Sequence, residues 1–383
     1  MNILQPVLQA YAWGSHSFIQ GLLGISAPGP IAEAWYSAHP KAPSLLNGEP
    51  LDLVIAKDPR YWLGGADSGF PYLLKILAAE QALSIQVHPS KAQAEQGFAR
   101  ENAAGIPLDA PNRNYKDANH KPEMMLALID FHALCGFREY DEIAEIFTHF
   151  GITGFFRTFD SFAKQPCSAT FTELYKEILL QEPLPELLHH IKDINPAGKW
   201  QSELEWCKKL IELNPTDRCV ISPLFLNLIT LKPFEAIFLE AGIVHAYLQG
   251  AGIEIMAQSD NVLRAGLSPK HIDVPELLKV MRNEPYLPNI RTIAPQTNMW
   301  QDYPAPVPDF RLSICHLDGA IALPRLPGAR LLMGLEGACL VSHQNQELAL
   351  SKADTVIIPA FEQDIRLSGK GILLLAAAHV ADS

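Results

Sequence analysis

The hydrophobic pattern of this chain changes period twice, and that switch limits the fold more than any other feature. Up to about Phe137, short apolar runs such as PYLLKILAA and ALSIQV are separated by Gly, Pro and Asn clusters. That is the punctuation of β-strands. From Glu139 to Phe225, apolar residues recur instead at i, i+3 and i+4, in DEIAEIFTHFG, ATFTELYKEILL, PELLHHIKDI and SELEWCKKLIELNP. This predicts amphipathic helices, with Asp141 and Ser202 as N-cap candidates. β texture returns at LFLNLITLKPFEAIFLEAGIVHAYL, a helical piece follows at VPELLKVMRN, and short strands and turns run from about residue 306 to the end. A helical block between two β blocks reads as an insertion. The expected architecture is mainly β with a helical insertion. One β-barrel covers 1–138 and 226–305, helices occupy 139–225, and a second β-barrel covers 306–383. The polar segment 97–121 reads as an extended loop, a common place for function.

Composition narrows the function classes. With 48% hydrophobic and 19% charged residues in 383, the chain has ample apolar mass for packed cores. A formal net charge of -12 argues against a nucleic-acid partner. It leaves room for a phosphorylated small molecule, which needs only a local Arg/Lys pair. The six cysteines form no C-x-x-C pair, so reduced thiols and a cytoplasmic location are expected. No apolar run reaches about 18 residues and the first residues lack a signal-peptide pattern, so no membrane partner is expected. No G-x-x-x-x-G-K-[ST] or G-x-G-x-x-G loop supports nucleotide chemistry.

Three stretches carry candidate chemistry. In LSIQVHPSK, alternation sets Ser84, Gln86 and His88 on one face of a strand. In NHKPEMM, Pro122 biases Lys121 toward an extended backbone, so Lys121 and Glu123 point the same way. Glu123 then opens an apolar strand, where a buried carboxylate needs a cation. In GIVHAYLQGAGIEIMAQSDNVLRAG, His245 and Tyr247 share a face, Glu254 sits between two isoleucines, and Asp260, Arg264 and Lys270 follow. Two imidazoles and one carboxylate, from His88, Glu123 and His245, suit Zn²⁺ or a similar ion. The blander readings stand beside these. Gln86 and His88 could be a satisfied buried pair, a cross-strand Lys could supply the cation for Glu123, and Arg264 and Lys270 could be solvated surface.

The stretches YAWGSH, EAWYSAHP, PYLLKIL, LSIQVHPSKAQAEQGF, NHKPEM and GIVHAYLQGAGIEIMAQSDNVLRAGLSPK run in order from Tyr11 to about Asp273. Together they resemble the type I mannose-6-phosphate isomerases (phosphomannose isomerases). The resemblance implies two cupin-type jelly-roll β-barrels plus an α-helical domain inserted in the first. It implies one Zn²⁺ per chain with Gln86, His88, Glu123 and His245 as ligands. Gln86 enters only in this way, since an amide is an uncommon zinc ligand. The implied activity is a zinc-dependent aldose–ketose isomerase, interconverting mannose 6-phosphate and fructose 6-phosphate through a cis-enediol.

Glu254 is then the preferred base and Lys121 the next. Asp260 and His120 remain, with His120 suited to opening the sugar ring. Arg264 suits the phosphate or a developing oxyanion, with Lys270 and Ser84 as further phosphate contacts and Tyr247 and Trp13 lining the pocket. His316, His343 and His379 form no ligand pattern, so the second barrel reads as metal-free. Two alternatives stay open. One is another cupin metalloenzyme, such as an Fe(II) oxygenase with a two-His, one-carboxylate triad; the other is an inactive sugar-phosphate-binding protein. A monomer is expected.

Overall fold

The computed structural model of the chain describes residues 1–65, 69–180, 185–195 and 197–378. Its strands make an eleven-stranded and a nine-stranded sheet. Both are open sheets rather than closed barrels: each strand order runs between two different end strands among the described residues.

The eleven-stranded sheet takes strands from both sides of the helical block. Tyr72–Ala79, Ile85–Val87, Glu123–Ala127 and Phe131–Phe137 come before it; Leu226–Leu231, Glu235–Leu239, His245–Ala257 and Leu263–Gly266 come after. The strand His245–Ala257 organises the rest. Its second half pairs with Tyr72–Ala79 and Glu123–Ala127, its first half with Ile85–Val87 and Phe131–Phe137. The change of partner falls at Gly250, whose φ is 134°. A Cβ there would lie 2.6 Å from the Asp130 carbonyl oxygen and 2.7 Å from Phe131 Cα, so the bend requires glycine.

Alternation gives this sheet one apolar outer face with two different covers. Over one half, Leu74, Ile76, Ile253 and Ile255 pack against Leu312, Leu331, Met333 and Leu374 of the nine-stranded sheet. Over the other half, Ile85, Val87, Ala246 and Leu263 pack against Phe147, Phe171, Leu204 and other residues of the helices. The inner face is thereby free to carry polar groups among Leu77, Met125, Ile237 and Tyr247. Hydrophobic burial, about 25 cal/mol per Å² of apolar surface, drives both outer contacts.

Helices Tyr140–His149, Ser168–Leu180, Pro185–Asp193 and Gln201–Leu213 lie between Phe131–Phe137 and Leu226–Leu231. Their buried residues follow the helical spacing, for example Phe171, Leu174, Tyr175 and Ile178. Both N-cap expectations miss by two residues. Glu139 and Trp200 occupy the cap positions without a side-chain cap bond, and Asp141 and Ser202 lie inside the first turns. Polar residues at a helix start do not fix the starting residue, because apolar packing sets where each helix begins.

Part of the expected loop 97–121 is also helical. Lys91–Ala103 is a helix with a full capping box between Ser90 and Gln93. Only Ala94, Gly97 and Glu101 of it are buried, so it carries little apolar periodicity. In the nine-stranded sheet, the expected short strands are long: Arg311–Ala322, Arg330–His343 and Arg366–Ala377. Glycines that look like breaks pair across strands instead, Gly319 with Gly369 and Gly337 with Gly371. The chain start differs as well. Asn2–Gln5 pairs with Thr355–Ile358, so residues expected in the first barrel extend the nine-stranded sheet. A four-residue strand has too little pattern to name its distant partner.

The two sheets are joined by polar bonds as well as apolar contact. The fully buried Tyr72 hydroxyl lies 3.2 Å from the Ala329 carbonyl oxygen and 3.0 Å from that of Ala376. Tyr72→Phe keeps the ring packing and strips the donor from both carbonyls. The expected loss is about 1–3 kcal/mol of unfolding free energy, read as a lower midpoint in urea at unchanged slope.

Candidate metal centre

The strand Ile85–Val87 is wedged between His245–Ala257 and Leu263–Gly266. Gln86 lies opposite His245 on one side and Arg264 on the other. Directly opposed residues share a face, so these three side chains form one row on the inner side. The strand is shorter than LSIQVHPSK suggests, because Pro89 cannot donate to a ladder. His88 follows directly and is buried. Glu123 enters from the opposite side, as first residue of Glu123–Ala127, opposite Met256 and Leu239.

His88, Glu123 and His245 are each almost completely buried, and their ligand atoms all lie within 4.8 Å of one another. Glu123 Oε1 is 3.4 Å from His88 Nε2, and Glu123 Oε2 is 3.4 Å from His245 Nε2. The proton positions follow from the other ring nitrogens. His88 Nδ1 lies 2.7 Å from the Asn261 carbonyl oxygen, and His245 Nδ1 lies 2.8 Å from that of Ile243. A carbonyl only accepts, so both Nδ1 atoms carry the proton and both Nε2 atoms carry a lone pair. His88 Nε2, His245 Nε2 and Glu123 Oε2 have no hydrogen-bond partner. Three buried lone-pair donors facing one another repel unless a cation lies between them.

The spacing fits such an ion. A tetrahedral Zn²⁺ with ligand bonds of about 2.0–2.1 Å holds its ligands about 3.3 Å apart. Burial, then the Lys121 ammonium, lower the His88 imidazole to about 4, so it is a neutral ligand at ordinary pH. Burial pushes the Glu123 carboxyl up. The Lys121 ammonium outweighs it and holds the group well below the usual carboxylate range. Lys121 Nζ donates to Glu123 Oε1 at 2.6 Å.

A second charged group lies on the same inner face. Lys75 is opposite both Trp35 and Glu254 on neighbouring strands. Its Nζ donates to Glu254 Oε2 at 2.9 Å and to Glu33 Oε1 at 3.3 Å. Tyr247 donates to Glu254 Oε1 at 3.0 Å, and Trp35 Nε1 to Glu33 Oε2 at 2.8 Å. Burial would lower the Lys75 ammonium, but Glu254 and Glu33 reverse that and raise it. Burial raises the Glu254 carboxyl; Lys75 pulls back and Glu123 adds to the rise, for a net upward shift. Burial, then Glu254, also drive the Tyr247 hydroxyl well up.

The remaining candidates are more scattered. Arg264 is half-buried and has no carboxylate partner among the described residues; burial lowers its ordinarily very high value. Asp260 is paired with Lys41 at 2.6 Å, and His120 Nε2 lies 2.8 Å from Asp309 Oδ2. Both are thus engaged by groups the sequence reading did not name. Ser84 is half-buried, and Trp13 is half-buried and stacks on Tyr11. Lys270 is exposed. His343 Nδ1 is 3.6 Å from Glu362, His316 packs near Phe234, and His379 lies outside the described residues.

Lys75 and Glu33 were missed. A signal existed: Lys75 is the one charged residue in PYLLKILAA. Asp309 and Asn261 offered none. Lys75→Met leaves Glu33 and Glu254 buried without their cation. The expected cost is about 3–5 kcal/mol, measurable by chemical denaturation of the metal-free chain.

The chain matches known proteins over nearly its whole length. A family model for the catalytic domain of phosphomannose isomerase type I matches residues 1–140, and one for the mannose-6-phosphate isomerase cupin domain matches residues 299–378. The chain is 39% identical to the mannose-6-phosphate isomerase of Salmonella typhimurium, over 97% of this chain and 98% of that one. It is 34% identical to the Homo sapiens mannose-6-phosphate isomerase over 88% of each. The apo crystal structure of mannose 6-phosphate isomerase from Salmonella typhimurium matches with a TM-score of 0.90 at 37% identity, covering 99% of both chains. A zinc-bound mannose 6-phosphate isomerase matches at 0.89 and 36% identity, again over 99% of both.

Proposed function

We propose that this chain, which belongs to the type I phosphomannose isomerase family, interconverts mannose 6-phosphate and fructose 6-phosphate with one zinc ion held by Gln86, His88, Glu123 and His245. The observation that carries the metal reading is the convergence of three unpartnered lone pairs from His88, Glu123 and His245. Gln86 joins them because its strand register puts it on the same face as His245. Two neutral imidazoles, a neutral amide and one carboxylate would leave the centre with one positive charge. Zinc so held would supply Lewis acidity, stabilising negative charge on the substrate oxygens.

The chain's own groups must then bind the phosphate and move a proton between adjacent carbons. Arg264 is suited to the phosphate: it is half-buried, lacks a carboxylate partner among the described residues, and lies beside Gln86. Its fork can engage two oxygens at once. Ser84 and Lys270 are further phosphate contacts in this reading, with Trp13 as a wall. Glu254 is the preferred base. Its carboxyl is raised by burial, toward the range in which a carboxylate both takes and returns a proton. Tyr247 and Lys75 orient it from either side. Because both Glu254 oxygens already accept hydrogen bonds, Lys121 remains a second reading for the base; its Nζ adjoins Glu123. His120, held by Asp309, is suited to opening the sugar ring.

The test is fructose 6-phosphate formation from mannose 6-phosphate in a coupled assay. Metal-stripped protein is expected to lose activity by at least about 100-fold and to regain it with Zn²⁺. Recovery with Fe²⁺ and not Zn²⁺, or no turnover by zinc-loaded protein, overturns the reading. Glu254→Gln is expected to lower kcat by about 10²–10⁴-fold with zinc retained. Near-normal kcat in Glu254→Gln together with an inactive Lys121→Met transfers the role of base to Lys121.

A further inference from the structure

We propose that Asn261 is a positioning residue: its carbonyl fixes the His88 tautomer while its side chain fastens the segment that delivers Lys121 and Glu123. This rests on the metal centre described above. Asn261 is completely buried. Its backbone oxygen accepts from His88 Nδ1 at 2.7 Å, so His88 keeps Nε2 free to ligate. Its side chain reaches a different part of the chain. Oδ1 accepts from the backbone N–H of Lys116 at 2.7 Å and of Asp117 at 3.3 Å. Nδ2 donates to the carbonyl oxygens of Asp117 at 2.9 Å and Asn119 at 2.8 Å, and lies 3.2 Å from Asp117 Oδ1.

Asp117 completes the knot. Its carboxylate accepts from Ser259 Oγ at 2.8 Å, from the Asp260 N–H at 2.8 Å and from the Asn119 N–H at 2.9 Å. Segments 116–119 and 259–261 therefore move as one body. The first runs directly into His120, Lys121 and Glu123. The second runs into Leu263–Gly266, the strand that pairs Arg264 with Gln86. One residue thus links, through its backbone, a ligand it bonds, His88, and, through its side chain, the segment leading to a ligand it never touches, Glu123. Metal sites tolerate ligand displacements of only about 0.2 Å, and losing an outer partner of a ligand typically weakens metal binding about 10–100-fold.

The test uses the full-length protein. Asn261→Asp keeps the shape of the side chain but replaces the Nδ2 donor by an acceptor facing Asp117. Chelator competition is expected to give a zinc dissociation constant about 10–100-fold weaker than wild type. The visible ligand-field bands of the cobalt(II)-substituted variant are expected to shift. Tyr72→Phe, which loses only the hydroxyl contacts to Ala329 and Ala376 between the two sheets, is expected to change neither readout. If Asn261→Asp does not fold, Asp117→Asn weakens the same knot and serves in its place. Wild-type zinc affinity and cobalt bands in whichever variant folds overturn the proposal alone. A wild-type chain that binds no zinc overturns the metal centre and this proposal together.

Discussion

Five charged side chains lie almost wholly buried on the inner face of the eleven-stranded sheet, and everything else about the site follows from satisfying them. They are Glu33, Lys75, Lys121, Glu123 and Glu254. Three carboxylates and two ammoniums leave one net negative charge. Each ammonium is used within the group: Lys75 bridges Glu33 and Glu254, and Lys121 holds one oxygen of Glu123. The other oxygen of Glu123 faces the bare Nε2 of His245, and the bare Nε2 of His88 lies beside the first. A buried charge in that position is costly without a counter-ion. The protein interior thus presents a defined deficit of positive charge at one point, which is what a metal centre requires.

The sheet can sustain this interior because its stability comes from its other face. The outer residues are covered over one half by the nine-stranded sheet and over the other by the inserted helices. The strand His245–Ala257 runs under both covers and changes partners at Gly250. Its first residue is a metal-ligand candidate, and Glu254, near its other end, is the candidate base. Register along this strand therefore governs both functions, since a slip of one residue would turn His245, Tyr247 and Glu254 outward.

Much of this was legible in the sequence, though unevenly. The helical block was legible because each helix buries a stripe at 3.6-residue spacing. Strands after residue 306 were read as too short, because Gly319, Gly337, Gly369 and Gly371 look like terminators when their cross-strand partners are unseen. The helix Lys91–Ala103 was hidden because capping, rather than an apolar stripe, defines it. His88, Glu123 and His245 stood out as polar residues in apolar strands, whereas Gln86 needed the family resemblance. Asn261 was invisible as a functional residue, for a backbone carbonyl carries no residue signature.

By itself, the sequence determined which residues could face inward, because alternation along a strand is a local property of the extended backbone. It also determined where β structure yields to helix, because periodicity is read over a few residues. Only the tertiary structure decided which inward groups meet. His88, Glu123 and His245 lie far apart in the chain, and their convergence depends on long-range register. The same holds for Lys75 with Glu254 and for His120 with Asp309. Pairings of this kind are set by how sheets and covers pack, and a one-dimensional pattern carries no distance between its parts.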